Sequence, residues 1–501
     1  MYVNIIYNYG AQVYMVAVGL ITQPILLNAL GAEMFAFVSI LNTIQIFFGL
    51  LDGGISNILS KEFSVNQNDV AGKSYLNRLM RKFETYLFGL SLLGLFFVYL
   101  ISKPISQHWL QLSNISSLDA RKTVIVIGFI ASTRLVSGLY RAVLIGFEKQ
   151  KQLSWINVFV ASVRYVLVIP FINIVFSAKG YFYYQVCVAF VELMLLKTVS
   201  SNLISSNESG VENRLVKDVE IKRIVAKSSE VWILSVGWVI STQIDRVLLS
   251  KKMSLVDYGS FSLVLTLVSG LTILSSPITT AALPKMAVSF MRGDSEGFIA
   301  TYLKASVLLS IVAMPVCLTF LAASNPVLQL FTNDHNLANR YSLHLSLYTI
   351  GSTCLLLSGL TFLLRSAADG LRISMRQQFM YLIILLPTMY LSVDAWGAIG
   401  ASVSWAVINV INLTTIISPL NSVGKISIHK TWLIQVVVKP FLIALPVLCV
   451  FWVFPVRVYG RLDALTTLGG IYTVFLGVIF ASKYITFDKF VLKRAVALKL
   501  D

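Results

Sequence analysis

Charge is scarce in this chain. Of its 501 residues 13% are charged, and only 23 are Asp or Glu, against about 25% charged in soluble domains. With 56% of its residues hydrophobic, a soluble fold could not cover its own surface, so the excess must face lipid. Histidine is nearly missing. His108, His335, His344 and His429 are scattered with no metal-ligand spacing, and no cofactor motif accompanies them. The four cysteines, Cys187, Cys317, Cys354 and Cys449, all sit inside apolar runs. That placement excludes a disulfide framework and makes them small core hydrophobes. No small-residue cleavage site follows the first apolar run, which is therefore expected to be a retained helix. No long outer loop or soluble segment could hold a catalytic domain, so a membrane polysaccharide polymerase or glycosyltransferase is the least favoured reading.

What is present is a series of long apolar runs, with a mean hydropathy of +0.78. A spanning helix needs about 20 mostly apolar residues. Fourteen runs qualify, near 8–29, 34–57, 84–101, 123–146, 153–175, 180–199, 228–250, 257–282, 303–323, 341–364, 377–393, 396–418, 435–454 and 465–483. The net charge is +17, and the positive residues gather in short loops on the same side as the N-terminus, such as Lys61, Arg78, Arg81 and Lys82. By the positive-inside rule both termini are expected in the cytoplasm. Membrane lipids with anionic headgroups, not nucleic acid, then account for the basic balance.

A weak internal repeat divides the chain. Asn42, Gln45, Gly49, Asp52 and Ser56 follow a 3-4-3-4 spacing, which puts them on one helical face. Thr266, Ser269, Ile273, Ser276 and Thr280 lie 224 residues later with the same spacing. Asn68-Asp69-x-x-Gly72 and Gly293-Asp294-x-x-Gly297 match at an offset of 225. The expected fold is an all-α integral membrane protein. It has two six-helix lobes related by a pseudo-two-fold along the membrane normal, with a cavity between them, plus two C-terminal helices. The expected domains are 1–200 for the first lobe, 201–227 for a cytoplasmic linker, 228–420 for the second lobe, and 421–501 for the two extra helices and a basic tail.

Ionisable side chains at the bilayer centre cost roughly 2.5–3.5 kcal/mol, so they face a cavity or a partner. Arg134 and Arg141 share a face of the fourth span; Arg164 lies in the fifth and Glu192 in the sixth. Planar guanidinium groups suit a diphosphate, which accepts several hydrogen bonds. The alternative is structural, with Arg134 or Arg164 pairing with Glu192 to tie helices together. Asp52, Glu192 and Asp245 are candidates for coupling a proton or sodium ion. Gln23, Asn42 and Gln45 extend a polar stripe toward the same lumen, although such residues also glue membrane helices. Lys304, Arg365 and Lys439, near helix ends, are expected to snorkel. Pro277 is the candidate hinge among prolines at 24, 170, 277, 315, 387 and 446.

Several motifs carry a resemblance. Leu30-Gly31-Ala32-Glu33-Met34-Phe35, then Leu51-Asp52-Gly53-Gly54-Ile55 and Lys61-Glu62, resemble the opening of polysaccharide flippases. Tyr140-Arg141 through Gly146-Phe147-Glu148-Lys149-Gln150 is similar too. So is the stretch from Trp232 through Thr242-Gln243-Ile244-Asp245-Arg246 to Tyr258-Gly259, Pro277 and Leu283-Pro284. Over about residues 10–290 the chain resembles the Wzx-type O-antigen and exopolysaccharide flippases of the multidrug/oligosaccharidyl-lipid/polysaccharide exporter superfamily. The resemblance implies alternating access, an undecaprenyl-diphosphate-linked oligosaccharide as cargo, the bacterial inner membrane as location and a cationic central cavity. The scattered histidines and the lack of a long outer loop or soluble segment set the expectation of no enzymatic activity and no cofactor. A cation-coupled multidrug exporter of the same superfamily is the alternative.

Orientation is directly testable. A fluorescent reporter fused after Asp501 is expected to mature, and an alkaline phosphatase fused at the same place is expected to stay inactive.

Overall fold

Apolar runs of this length leave one local solution, because a backbone in lipid must satisfy its own hydrogen bonds. The computed structural model describes residues 2–66, 70–174, 180–204, 218–367, 371–415, 432–456 and 458–497, and among them there is no strand. The helices are α1 (Tyr2–Leu30), α2 (Ala32–Leu51), α3 (Ile55–Asn66), α4 (Val70–Pro104), α5 (Ser117–Gly146), α6 (Gln150–Ala161), α7 (Val168–Ile174), α8 (Gly180–Ile204), α9 (Asp218–Lys252) and α10 (Leu255–Ile273). They continue as α11 (Ser276–Met291), α12 (Ser295–Ala322), α13 (Ser324–Thr332), α14 (His335–Ala367), α15 (Leu371–Thr415), α16 (Lys439–Val453) and α17 (Arg461–Ala497). Thirteen helical stretches among the described residues are long and apolar enough to cross a membrane.

The difference between these thirteen and the fourteen expected spans lies in α15. A straight helix of 45 residues would measure about 67 Å, twice the hydrocarbon core. At Gly397 the backbone turns (φ 60°, ψ −134°). The Ser404 hydroxyl then donates to Ser392 at 2.6 Å, and Tyr381 reaches Asn409 at 3.2 Å. Residues 28 apart in one helix would be about 42 Å apart, so α15 is a helical hairpin. Gly400 seals it, since a Cβ there would lie 2.0 Å from the Ser392 carbonyl oxygen. The expected spans at 377–393 and 396–418 fall on its two arms as far as Thr415, residues 416–418 lying outside the described residues, and the count returns to fourteen.

Two spans end earlier than the periodicity predicts. The second was expected to run to 57, but α2 stops at Leu51 and Gly53 (φ 62°) and Gly54 (φ 74°) turn the chain into α3. The eighth was expected to run to 282, but α10 stops at Ile273 and α11 begins at Ser276. Pro277 lies in the first turn of α11, where a missing N–H costs nothing, so it does not kink a continuous span. The two breaks occur at repeat-matched places. The following helices, α4 and α12, begin at residues 225 apart, and Asp294 caps α12 by accepting from the Gly297 N–H at 2.8 Å.

The chain divides into two compact units, Met1–Ser262 and Leu263–Asp501. The division falls inside α10, not in the expected linker; residues 205–217 of that linker lie outside the described residues. The reason is that α9 and the start of α10 pack within the first unit. The Trp232 indole donates to the Leu50 carbonyl at 2.7 Å, Thr43 to Gln243 at 3.4 Å, and Ser39 meets the Tyr258 hydroxyl at 3.2 Å. Gly259 lies so close to α2 that a Cβ would stand 1.8 Å from the Ala32 carbonyl oxygen.

Within the first unit α5 is central, with 72% of its spanning window buried. α3 crosses it at Gly146, where a Cβ would meet the Ser60 carbonyl at 2.6 Å. Glu33, at the start of α2, accepts backbone N–H groups of Ser113 (2.8 Å) and Asn114 (2.9 Å), which anchors the loop leading into α5. α4 instead turns Phe88, Leu92, Leu93, Phe96 and Phe97 outward, as a lipid-facing helix should. In the second unit one core gathers Met286, Tyr302, Leu309, Leu357 and Trp432, and another joins Met314 and Leu318 of α12 to Ala444 of α16 and Phe475 and Ile479 of α17.

Replacing Gly259 with valine forces backbone apart from backbone. The variant is expected to lose about 1–3 kcal/mol, read as a lower melting temperature in detergent, while Gly460→Ala, with open space around it, is expected to melt like the native protein.

Candidate functional site

The central position of α5 decides where its two arginines go. Arg134 and Arg141 are seven residues apart, two turns on one face, and that face meets α8. The Glu192 carboxylate of α8 is only 4% exposed. One oxygen, Oε1, accepts from Arg141 Nη2. The other, Oε2, accepts from Arg164 Nη2 at 2.6 Å and lies 3.9 Å from Arg134 Nε. Arg141 also donates through Nη1 to Asn157 of α6 at 2.6 Å. All three arginines therefore converge on one acid.

Arg164 arrives there through a local distortion. Residues Ser162–Val166 form a π-helical turn between α6 and α7. Pro170 follows four residues after Val166, and a proline both lacks an N–H and crowds the carbonyl four residues back; the wider turn relieves that crowding. Such turns often mark functional sites. The turn is held from two helices. Tyr14 of α1 pairs with Ser162 at 2.7 Å, Tyr184 of α8 donates to the Val163 carbonyl at 2.6 Å, and Gln185 donates to the Arg164 carbonyl at 3.4 Å.

The charge does not close. Three guanidiniums against one carboxylate leave the cluster at a formal +2. Nor do the hydrogen bonds. Arg134 Nε and Nη2, Arg164 Nε and Gln185 Oε1 are buried with no hydrogen-bond partner, a costly condition for a charged group in a low dielectric. The side chains of Arg141, Arg164 and Arg134 are 33%, 19% and 16% exposed, while the unpartnered nitrogens themselves are enclosed. The cluster is thus a polybasic site with donors to spare, suited to an anion carrying several oxygens.

The other expected site residues lie elsewhere. Asp52 sits in the turn after α2, where its carboxylate accepts from the Ser56 hydroxyl at 2.8 Å and the Ser56 N–H at 3.2 Å. It caps α3 and does not continue a polar stripe down α2. Asp245 is 4% exposed within the first unit and accepts from the Arg246 N–H at 2.8 Å. Gln23 is buried, while Asn42 and Gln45 are half-buried. None of Gln23, Asn42 and Gln45 hydrogen-bonds or ion-pairs with the arginine cluster among the described residues. Arg365 does not snorkel. It is 2% exposed and donates to Gln377 of α15, because its helix ends beneath the hairpin. Asn157 was missed by the sequence reading, and a single amide on an amphipathic helix carries no signal that could have found it.

The sequence matches the family profile described as "Polysaccharide biosynthesis protein" over residues 2–290, more than half of the chain. The chain belongs to the polysaccharide biosynthesis protein family. Its fold is that of transporters in the MOP superfamily. A multidrug resistance MATE family transporter of that superfamily, in an inward-facing conformation, is similar with a TM-score of 0.67 at 14% identity, over 82% of this chain and 96% of its own. Lipid II flippase MurJ, in an inward closed conformation, is similar with a TM-score of 0.67 at 15% identity, over 96% of this chain and 100% of its own. A MOP superfamily transporter from Pyrococcus furiosus, described as having a binding pocket of reverse polarity, gives 0.51 at 13% identity, over 84% of this chain and 95% of its own. No curated protein matches the sequence. This member of the polysaccharide biosynthesis protein family therefore sets its arginine cluster in the fold of a multi-pass membrane transporter.

Asn157→Asp would lower the formal charge of the cluster to about +1 without changing its shape. Affinity for inorganic pyrophosphate, measured by calorimetry on the purified protein, is expected to fall roughly tenfold, equivalent to about 1.4 kcal/mol.

Proposed function

We propose that this protein is a flippase. It moves an oligosaccharide linked to undecaprenyl diphosphate, an O-antigen or exopolysaccharide repeat unit, from the cytoplasmic to the outer leaflet of the bacterial inner membrane by alternating access. The observation that carries this reading is the +2 cluster of Arg134, Arg141 and Arg164 on Glu192 with its spare buried donors. A diphosphate carries charge near −2 and several acceptor oxygens, which complement those donors. Its lipid tail stays in the bilayer while the headgroup and sugar cross. Coupling to a proton or sodium ion is part of the reading, and each charge moved through the field is worth about 2.3 kcal/mol per 100 mV. Of the three acids expected for that role, Glu192 alone touches the arginines; Asp52 and Asp245 would act from other places.

The second reading, a cation-coupled multidrug exporter, has support in the fold, because the MATE transporter and MurJ match with the same TM-score. Charge separates the two. A net positive cluster repels a cationic drug and attracts a diphosphate.

Arg134→Ala combined with Arg164→Ala is expected to abolish export of surface polysaccharide by about a hundredfold or more in a flippase-deficient host, with the protein still made at native levels and eluting as a single species. In a pump-deficient host the native protein is expected to give no protection against cationic drugs. Unchanged polysaccharide export by the double variant would overturn the proposal.

A further inference from the structure

We infer that Glu192 is a built-in stand-in for the cargo's phosphates, and that it sets how tightly the arginines hold an anion and how readily they let it go. The inference rests on the flippase reading and deepens it.

The geometry has three parts. First, Glu192 engages the cluster as a bridging anion does: its two oxygens are divided between Arg141 on one side and Arg164 with Arg134 on the other. Second, it is a poor fit. A carboxylate spans one carbon between its oxygens, so it leaves Arg134 Nε at 3.9 Å and leaves three arginine N–H positions without an acceptor. A diphosphate offers more oxygens over a longer reach and can accept from those positions. Third, the one arginine that is a third exposed, Arg141, is also the one tied to both Glu192 and Asn157. An incoming anion meets Arg141 first and competes there with Glu192 Oε1.

The consequence is an exchange. Arriving phosphate oxygens displace the carboxylate from the guanidiniums; departing ones are replaced by it. The carboxylate keeps the empty cluster from a formal +3, and it lowers affinity by competing with the guest. A site that holds cargo without competition saturates easily but releases slowly, so the carboxylate trades affinity for turnover. A purely structural Glu192 would make a different forecast, since removing it would only loosen the helices.

The test uses inorganic pyrophosphate as the probe on the purified full-length protein in nanodiscs, with export measured separately in cells. Glu192→Gln keeps the side chain's shape and removes the competitor. It is expected to bind pyrophosphate at least tenfold more tightly than the native protein and to export at least tenfold more slowly. Should Glu192→Gln not fold with three uncompensated arginines, a paired comparison serves. Arg141→Gln with Glu192→Gln has the native formal charge but no carboxylate, and it is expected to bind pyrophosphate at least tenfold more tightly than Arg141→Gln alone. Pyrophosphate affinity unchanged or weaker on removing the carboxylate, in a folded protein, would overturn the inference and leave the flippase reading standing, provided Arg134→Ala still weakens binding. Equal binding by the native protein and Arg134→Ala would instead remove the anion site itself, and both ideas with it.

Discussion

A buried carboxylate shared by three guanidiniums is the constraint around which the first unit is built. Taking any of these charges out of water costs several kcal/mol, and the cost is recovered only where geometry pairs them closely. That requirement explains why α5, which carries two of the arginines, is the most enclosed span, with 72% of its window buried. It also makes use of the irregularity that Pro170 brings to the fifth span. A straight α-helix would hold Arg164 in register with its own helical face, whereas the π-helical turn at Ser162–Val166 sets it on Glu192. Tyr14, Tyr184 and Gln185 then hold that turn from α1 and α8, so uncharged side chains position a charged one.

The motifs that suggested a flippase do mostly mechanical work. Glu33 gathers backbone N–H groups before α5, Gly146 admits α3, Gly259 admits α2, and Tyr258 meets Ser39. Trp232 and Gln243 tie α9 to α2. These residues set the distances between helices and through them the placement of the arginines. Of the motif residues only Arg141 belongs to the cluster. A family can therefore be legible in residues that pack helices together.

Much of the fold was legible because the bilayer simplifies the problem. Length and apolar content mark the spans, and the two arms of α15 were legible as separate runs, 377–393 and 396–418, on either side of Asp394-Ala395. The breaks after Leu51 and Ile273 were hidden, since polar residues continue the helical spacing through both, and only the positive φ of Gly53 and Gly54 shows that the first is a turn. For the same reason Asp52 read as a stripe residue when it is a cap. Arg365 read as a helix-end cation because spacing cannot tell that another helix lies over it. In the arginine cluster the members were legible as costly charges, but the sequence left open whether they pair singly with acids or meet together.

What the chain's order of residues determines by itself is composition along a line: which segments must enter lipid, which side carries the positive loops, and which charges are too expensive to leave exposed to hydrocarbon. Those follow from transfer free energies that each segment pays locally. Only the tertiary structure decides that Arg134, Arg141 and Arg164 share Glu192, and that they do so with charge and donors left over. Pairing depends on distances between side chains up to 58 positions apart in sequence, and those distances are set by close glycine contacts and by the uncharged side chains that hold the π-helical turn.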